Sequence, residues 1–124
     1  MAKRRIPDAT GQLALDSYRT DAEGFFADTE QVGLAVRYLL QLLGDRVPGR
    51  SVEVRVPPFG AAQVVEGIRH TRGTPPATVE MDAETFLELA LGTSHWSDLA
   101  DQGRITASGE RSNLREFFPL RPLS

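Results

Sequence analysis

The stretch Met81–Leu120 constrains the fold most, because each of its segments carries its own start and stop signals. Asp82 is a suitable N-cap for a helix, since its carboxylate can accept hydrogen bonds from the free amides of the first turn. Gly92 supplies a left-handed stop after the apolar positions of that helix. Ser94 then predicts the cap of a second, shorter helix, which Gly103 ends.

Two further elements follow in the same stretch. Residues 104–108 alternate polar and apolar side chains, which is the period of a half-buried strand. Leu114, Phe117 and Phe118 then make one apolar helical face, and Pro119 stops that helix. The order helix, short helix, strand and closing helix therefore occupies the last third of the chain.

An earlier helix is predicted from Asp28 or Thr29 to Gly44, where glycine and the following Pro48-Gly49 end it. Its apolar face is wide and needs a cover, so this segment is interpreted as the main core helix. The alternative is a helix that presents this face to a partner protein. The face recurs at helical spacing and consists of Val32, Val36, Leu39, Leu40 and Leu43.

Four strands are predicted, and the clearest is Ser51–Val56, whose valines alternate with polar residues. Ala61–Ile68 and Ala77–Met81 are the next two, and residues 104–108 are the fourth. The short links between them favour antiparallel pairing. We expect Val52, Val54 and Val56 to face the same core as Val36 and Leu40.

The first 28 residues are predicted to be an N-terminal arm or short helix, followed by a single domain over residues 29–124. Met1–Gln12 contains proline, glycine and mixed charge, as in a loosely docked arm. The apolar residues after it predict a short helix that breaks near Gly24.

Length and composition limit the classes of function that the chain can have. A chain of 124 residues fits one domain with a real core. The formal net charge of −3 gives no global basic field for nucleic acid or an anionic membrane. There is no cysteine, no apolar run that could span a membrane, and no apolar segment behind the basic start that would make a signal peptide. These features predict a cytoplasmic protein without integral membrane association.

No pattern in the chain demands catalysis. His70 and His95 have no cysteine or second histidine at ligand spacing, so no metal site is expected. Nucleotide-binding and hydrolase motifs are absent from the sequence, and no cofactor is expected. Ser94, His95 and Asp98 are triad residue types, but neighbours on one short helix point in different directions. The prediction is therefore a protein that is not an enzyme.

Two features remain as candidate sites. The loop containing Arg69, His70 and Arg72 could hold a carboxylate or phosphate, or it could be a solvated hairpin loop. The second feature is the supply of large apolar side chains on the last three helices. Packed tightly these residues are only core, whereas helices that stand off the sheet would let them line a cavity for an apolar ligand.

The order of elements and two strings, GRITASGERSNLREFFPL and RHTRGTPPATVEMD, resemble the sterol carrier protein (type 2) family, in particular its bacterial orthologue branch. The resemblance covers roughly residues 50–120. It implies an α+β fold, with a mostly antiparallel four- to five-stranded sheet and helices packed over one face. It also implies an apolar tunnel between helices and sheet that takes a sterol, a fatty acid or an acyl-CoA.

Carried over by position, the resemblance assigns the tunnel to residues of the last helices and strand, with the closing helix as its gate. The expected function is non-catalytic binding or carriage of an apolar or acyl lipid. The alternative is a ligand-free structural or interaction module that docks on a partner protein or enzyme. The expected tunnel residues are Phe86, Leu87, Ala90, Trp96, Leu99, Ile105, Leu114, Phe117 and Phe118.

Overall fold

The computed structural model describes residues 5–67 and 77–121, which form an α+β domain. The described elements follow one another in a simple order, with the longest helix in the first half of the chain. They are α1 (Asp8–Thr20), α2 (Ala22–Ala27), α3 (Thr29–Arg46), β1 (Val52–Val56), β2 (Gly60–Val64), β3 (Ala77–Glu80), α4 (Ala83–Leu91), α5 (Trp96–Asp101), β4 (Thr106–Ser108) and a 3₁₀ turn (Arg115–Phe117).

Helix α3 is the predicted core helix. Asp28 caps it, accepting hydrogen bonds from the backbone amides of Glu30 and Gln31 at 3.2 and 3.3 Å. The predicted stop at Gly44 is wrong, because the helix continues to Arg46. Glycine in a helix costs only about 1 kcal/mol, which the continuing hydrogen bonds and the buried Leu43 offset.

The described sheet has four strands in the order β2-β1-β3-β4. β1 pairs antiparallel with β2 and β3 pairs antiparallel with β4, whereas β1 and β3 are parallel. The predicted α+β class and the mostly antiparallel sheet are confirmed, with the central parallel pair as a refinement. β2 runs antiparallel to β1 along one edge of that strand, and β3 runs parallel to β1 along its other edge.

The two faces of the sheet differ as the alternation in β1 predicts. Val52, Val54 and Val56 are fully buried in the same apolar cluster as Val36 and Leu40. The opposite face is wet, and on it Arg55 forms an ion pair with Glu53. The helices therefore cover one face of the sheet, as expected.

Strand limits differ from the predicted ones by a few residues. β2 ends at Val64 rather than at Ile68, because Val65 adopts a positive φ of 66° that no strand accommodates. β4 begins at Thr106 rather than at Arg104. Arg104 lies before the strand, and its side chain donates hydrogen bonds to Thr85 and Glu88 of α4.

The N-terminal segment is helical earlier than predicted. Residues 8–12, expected to belong to a loose arm, form the first turns of α1, which packs against α3. The break between α1 and α2 lies at Asp21, whose carboxylate caps α2 by accepting from Gly24 N. Gly24, the predicted breaker, lies inside α2.

Gly11 explains how α1 approaches α3 so closely. A Cβ at this position would lie 2.2 Å from the ring of Tyr38, which is fully buried. The Tyr38 hydroxyl donates to Asp8 Oδ1 at 2.9 Å, so the same side chain also ties down the start of α1. The absence of a side chain at Gly11 is therefore a packing requirement.

The predicted closing helix is wrong. Leu114 is buried, but only Arg115–Phe117 make a single 3₁₀ turn. The backbone of Arg111 has a positive φ of 66°, and Pro119 interrupts the pattern again. The left-handed backbone at Arg111 keeps a helix from beginning earlier, and Pro119 lacks the amide hydrogen that a further helical turn needs.

We expect Gly11→Ala to destabilise the protein by about 2 kcal/mol or more, because the new methyl group must displace a buried ring. The matched control is Gly44→Ala, also inside a helix, where an added Cβ would meet nothing within 4 Å. That control should stabilise the protein by about 0.5–1 kcal/mol through helix propensity. Urea denaturation of the two variants measures both values, and similar effects of the two substitutions would contradict the packing role of Gly11.

Candidate functional site

Helix α4 is fixed at both ends as the sequence predicts. Asp82 accepts a hydrogen bond from the backbone amide of Thr85 at 2.8 Å. Burial opposes the ionisation of Asp82, but its hydrogen bonds with Thr85 and the charge of Arg104 outweigh burial and lower the pKa of Asp82. Gly92 ends α4 with a φ of 84°, and Pro119 packs against this turn. The C-terminal segment therefore meets the end of α4.

A polar clamp, formed by Glu88, Arg104, Thr85 and Ser94, holds α4 against the segment that precedes β4. Arg104 donates to Glu88 Oε1 at 3.3 Å and Oε2 at 2.7 Å, and its Nε donates to Thr85 Oγ1 at 3.0 Å. Ser94 Oγ donates to Glu88 Oε1 at 2.7 Å. The predicted cap role of Ser94 is wrong, because His95 occupies the N-cap position of α5 and the Ser94 hydroxyl is engaged by Glu88.

The clamp is an electrostatic device with a defined pH dependence. The hydrogen bonds from Arg104 are the largest cause that lowers the pKa of Glu88 from its ordinary 4.5, and they outweigh the opposing effect of burial. A carboxylate with a lowered folded-state pKa stabilises the fold above its unfolded pKa. That contribution is lost as the pH falls through the folded value.

Most of the apolar residues expected to line a tunnel lie in the core. Accessible surface includes the walls of internal cavities, so a side chain at zero exposure borders no space that holds a water molecule. Phe86, Leu87, Ala90 and Leu99 are 0% exposed and Leu114 is 1% exposed. The first four side chains are packed on all sides and Leu114 is nearly so, and the role of all five in ligand binding stays a prediction.

The remaining expected residues lie nearer the surface. Trp96 and Ile105 are 7% and 8% exposed, and Phe117 and Phe118 are half-buried. Ile105 precedes β4 rather than lying in it. Arg69, His70 and Arg72, proposed as head-group contacts, lie outside the described residues.

Phe118 connects the buried and exposed parts of this region. Its ring stacks on Trp96 with centroids 6.4 Å apart and an interplanar angle of 20°. It also meets Phe86 edge to face at 6.5 Å. Aromatic contacts of this kind are worth about 0.5–1.5 kcal/mol beyond the burial of area. Phe118 therefore covers Phe86 while one side of its own ring stays accessible.

An open groove of about 310 Å³ lies beside this aromatic group. Its volume is at the lower end of the range of about 300–1,000 Å³ found for small-molecule sites. Its polar rim includes Ser94, His95, Ser97 and Arg115, and its apolar surface comes from Leu89, Trp96, Phe118 and Pro119.

The sequence interpretation missed two contributors to this groove. Leu89 was not among the residues expected at the site, and Pro119 was treated only as a helix stop. Leu87 and Leu89 lie on different sides of α4, because residues two apart on a helix do not share a face. Both are buried, so α4 is covered on more than one side. The proximity of Pro119 to Gly92 depends on tertiary packing, and no sequence signal marks it.

Comparisons with known proteins identify the family. The family described as "Bacterial SCP ortholog" matches residues 28–120, from the cap of α3 to the end of the groove-lining segment. The chain belongs to this family. Helices α1 and α2 lie before the matched region. No curated protein sequence matches the chain.

Among solved structures, the chain is similar to sterol carrier protein-2 like-3 from Aedes aegypti, at 18% identity. The match covers 68% of this chain and 87% of that chain, with a TM-score of 0.34. Within residues 5–67 and 77–121, no helix is long and apolar enough to cross a membrane. The same described residues contain no group of three or more His, Cys, Asp or Glu side chains arranged to hold a metal ion.

We expect Glu88→Gln to lower the free energy of unfolding by about 1 kcal/mol at neutral pH, because it removes a charge-assisted pair that is partly screened by solvent. The difference from the wild type should vanish as the pH falls below the lowered pKa of Glu88. Urea denaturation at a series of pH values from neutral to strongly acidic measures this. Glu84→Gln, on the same helix but exposed, is the control. A Glu88→Gln effect that persisted at acid pH would show that the clamp is not electrostatic.

Proposed function

We propose that the protein binds an apolar or acyl ligand non-catalytically, in the groove between α4, α5 and the segment around Phe118. The observation that carries the proposal is the stacked Trp96–Phe118 pair, which forms part of the apolar lining of an open groove. Membership of the SCP ortholog family supports an apolar ligand over a polar one. We also propose a cytoplasmic location and no chemical step on the ligand.

The affinity expected for such a groove is modest. Each methylene that leaves water contributes about 0.8 kcal/mol. Association and ordering of the ligand cost an estimated 4–15 kcal/mol of binding free energy. A chain of about twelve methylenes gains roughly 10 kcal/mol before that cost, so at the lowest cost about 6 kcal/mol remains, which corresponds to a Kd of roughly 0.1 mM. A carrier needs to release its ligand, and weak binding of this kind is consistent with that requirement.

A second candidate function rests on the closed packing of the core. Four of the side chains expected around a tunnel border no water-sized space. A domain with a filled interior is suited to act as a ligand-free module that docks on a partner protein. This candidate predicts that apolar ligands leave the protein unaffected at every chain length.

Trp96 is the only tryptophan of the chain, so its emission reports on the groove without an added label. We expect saturable changes in this emission on titration with fatty acids. The affinity should rise with each added methylene until the groove is full. Calorimetry on the same pairs checks for binding that leaves the emission unchanged.

Matched variants on α5 test the location. Ser97 is exposed and lines the groove, so Ser97→Phe should fill it and weaken fatty-acid binding. Ala100 is exposed on the same helix but does not line the groove, and Ala100→Phe should leave binding unchanged. If neither emission nor calorimetry responds to any chain length, the ligand-free module becomes the better description.

A further inference from the structure

A second depression of about 470 Å³ lies at the end of α3. It shares no lining residue with the groove. Its apolar lining comes from Leu42, which is half-buried, and from the small exposed part of Leu120. Tyr38 borders the same region but is fully buried, so it offers no accessible surface there.

Both acidic side chains at this pocket are already engaged. Asp45 accepts two hydrogen bonds from the guanidinium of Arg5, at 3.1 and 2.5 Å. Asp8 accepts the hydroxyl of Tyr38 at 2.9 Å. Each carboxylate therefore has a donor of its own at the edge of the pocket.

Two arginines at the same pocket, Arg46 and Arg121, are in contrast not paired with a carboxylate among the described residues. Arg46 donates one hydrogen bond, to the carbonyl oxygen of Pro119 at 3.1 Å, which is a neutral acceptor. A guanidinium has five N–H donors, so most of its capacity stays available. Neither Arg46 nor Arg121 has a carboxylate ion-pair partner within residues 5–67 and 77–121. The pocket thus carries excess positive charge on a protein of net charge −3.

We infer that this pocket binds an amphiphilic anion, with its carboxylate or phosphate group on Arg46 and Arg121 and its apolar chain on Leu42 and Leu120. A guanidinium matches both head groups by forked hydrogen bonds. An apolar chain of a few methylenes adds affinity by covering the leucines. The site is additional to the groove and does not depend on the function proposed for it.

The test is a titration followed by NMR of the leucine methyl groups, with octanoate, octyl phosphate and octanol as probes. Octanoate and octyl phosphate should shift the methyl signals of Leu42 and Leu120 saturably, and octanol should not. The two anionic probes show whether the site prefers a carboxylate or a phosphate. Inorganic phosphate alone should bind more weakly than octyl phosphate, because it leaves the leucines uncovered.

Charge variants locate the site. The double variant Arg46→Gln/Arg121→Gln should weaken binding of both anionic probes by about tenfold or more, through the loss of charge-assisted hydrogen bonds. The control Arg19→Gln/Arg37→Gln removes the same charge from α1 and α3 outside this pocket and should leave binding unchanged. Arg121→Gln alone, which removes no described hydrogen bond, should weaken binding without affecting the fold.

Three results would overturn the inference. They are equal methyl shifts with octanol and octanoate, equal weakening by the two double variants, or unchanged binding after both pocket arginines are replaced. Ser97→Phe should leave the shifts at Leu42 and Leu120 intact. A response at these leucines with no response at Trp96 would support this site while removing the proposed ligand from the groove.

Discussion

The apolar core shared by α3 and the sheet is the packing on which the rest of the structure depends. Val52, Val54 and Val56 of β1 are fully buried in this core, and so are Val36 and Leu39 of α3. Complete burial of one such side chain is worth about 1.5–3 kcal/mol, so this core contributes strongly to the stability of the domain. The other elements attach to it: α1 docks on the outer side of α3, and β2 and β3 extend β1 on its two edges.

The parts of the fold that sequence could predict are those with one clear period. The alternation in β1 and the helical spacing in α3 each left a single face to bury, and both interpretations are confirmed. The caps at Asp28 and Asp82 were also predictable, because a carboxylate before an apolar periodic segment has a local partner in the first turn. Local chemistry was enough in these places.

Where sequence failed, a glycine or a tertiary contact decided the outcome. The buried positions of α1 have helical spacing, but two of them are Gly11 and Ala14, too small to register as an apolar stripe. Gly11 is buried because Tyr38 fills the space of its missing side chain, and that contact joins residues far apart in the chain. The parallel pairing of β1 with β3 was not predicted either, because the short links between strands favoured antiparallel neighbours.

In the candidate site, too, some features follow from sequence periodicity and others depend on tertiary contacts. The spacing of the apolar residues in α4 and α5 identifies faces that are buried in the structure, while their role as a ligand site stays a prediction. Spacing could not determine whether those residues enclose a space, since that depends on how tightly side chains interlock. Nor could the sequence pair Arg104 with Glu88, or show that Arg46 and Arg121 have no carboxylate partner among the described residues, because ion pairing follows proximity in the folded chain.

For the proposed ligand to pass from the groove into the interior, part of the C-terminal segment would have to move. Leu114 and Leu120 are buried at its two ends, with the half-exposed Phe118 between them. Lifting the whole segment would expose both leucines, at about 1.5–3 kcal/mol each. Rotating Phe118 alone would sacrifice its contacts with Trp96 and Phe86, each worth about 0.5–1.5 kcal/mol. Access through Phe118 therefore costs less than displacement of the segment, and it starts from the groove where the ring is already exposed.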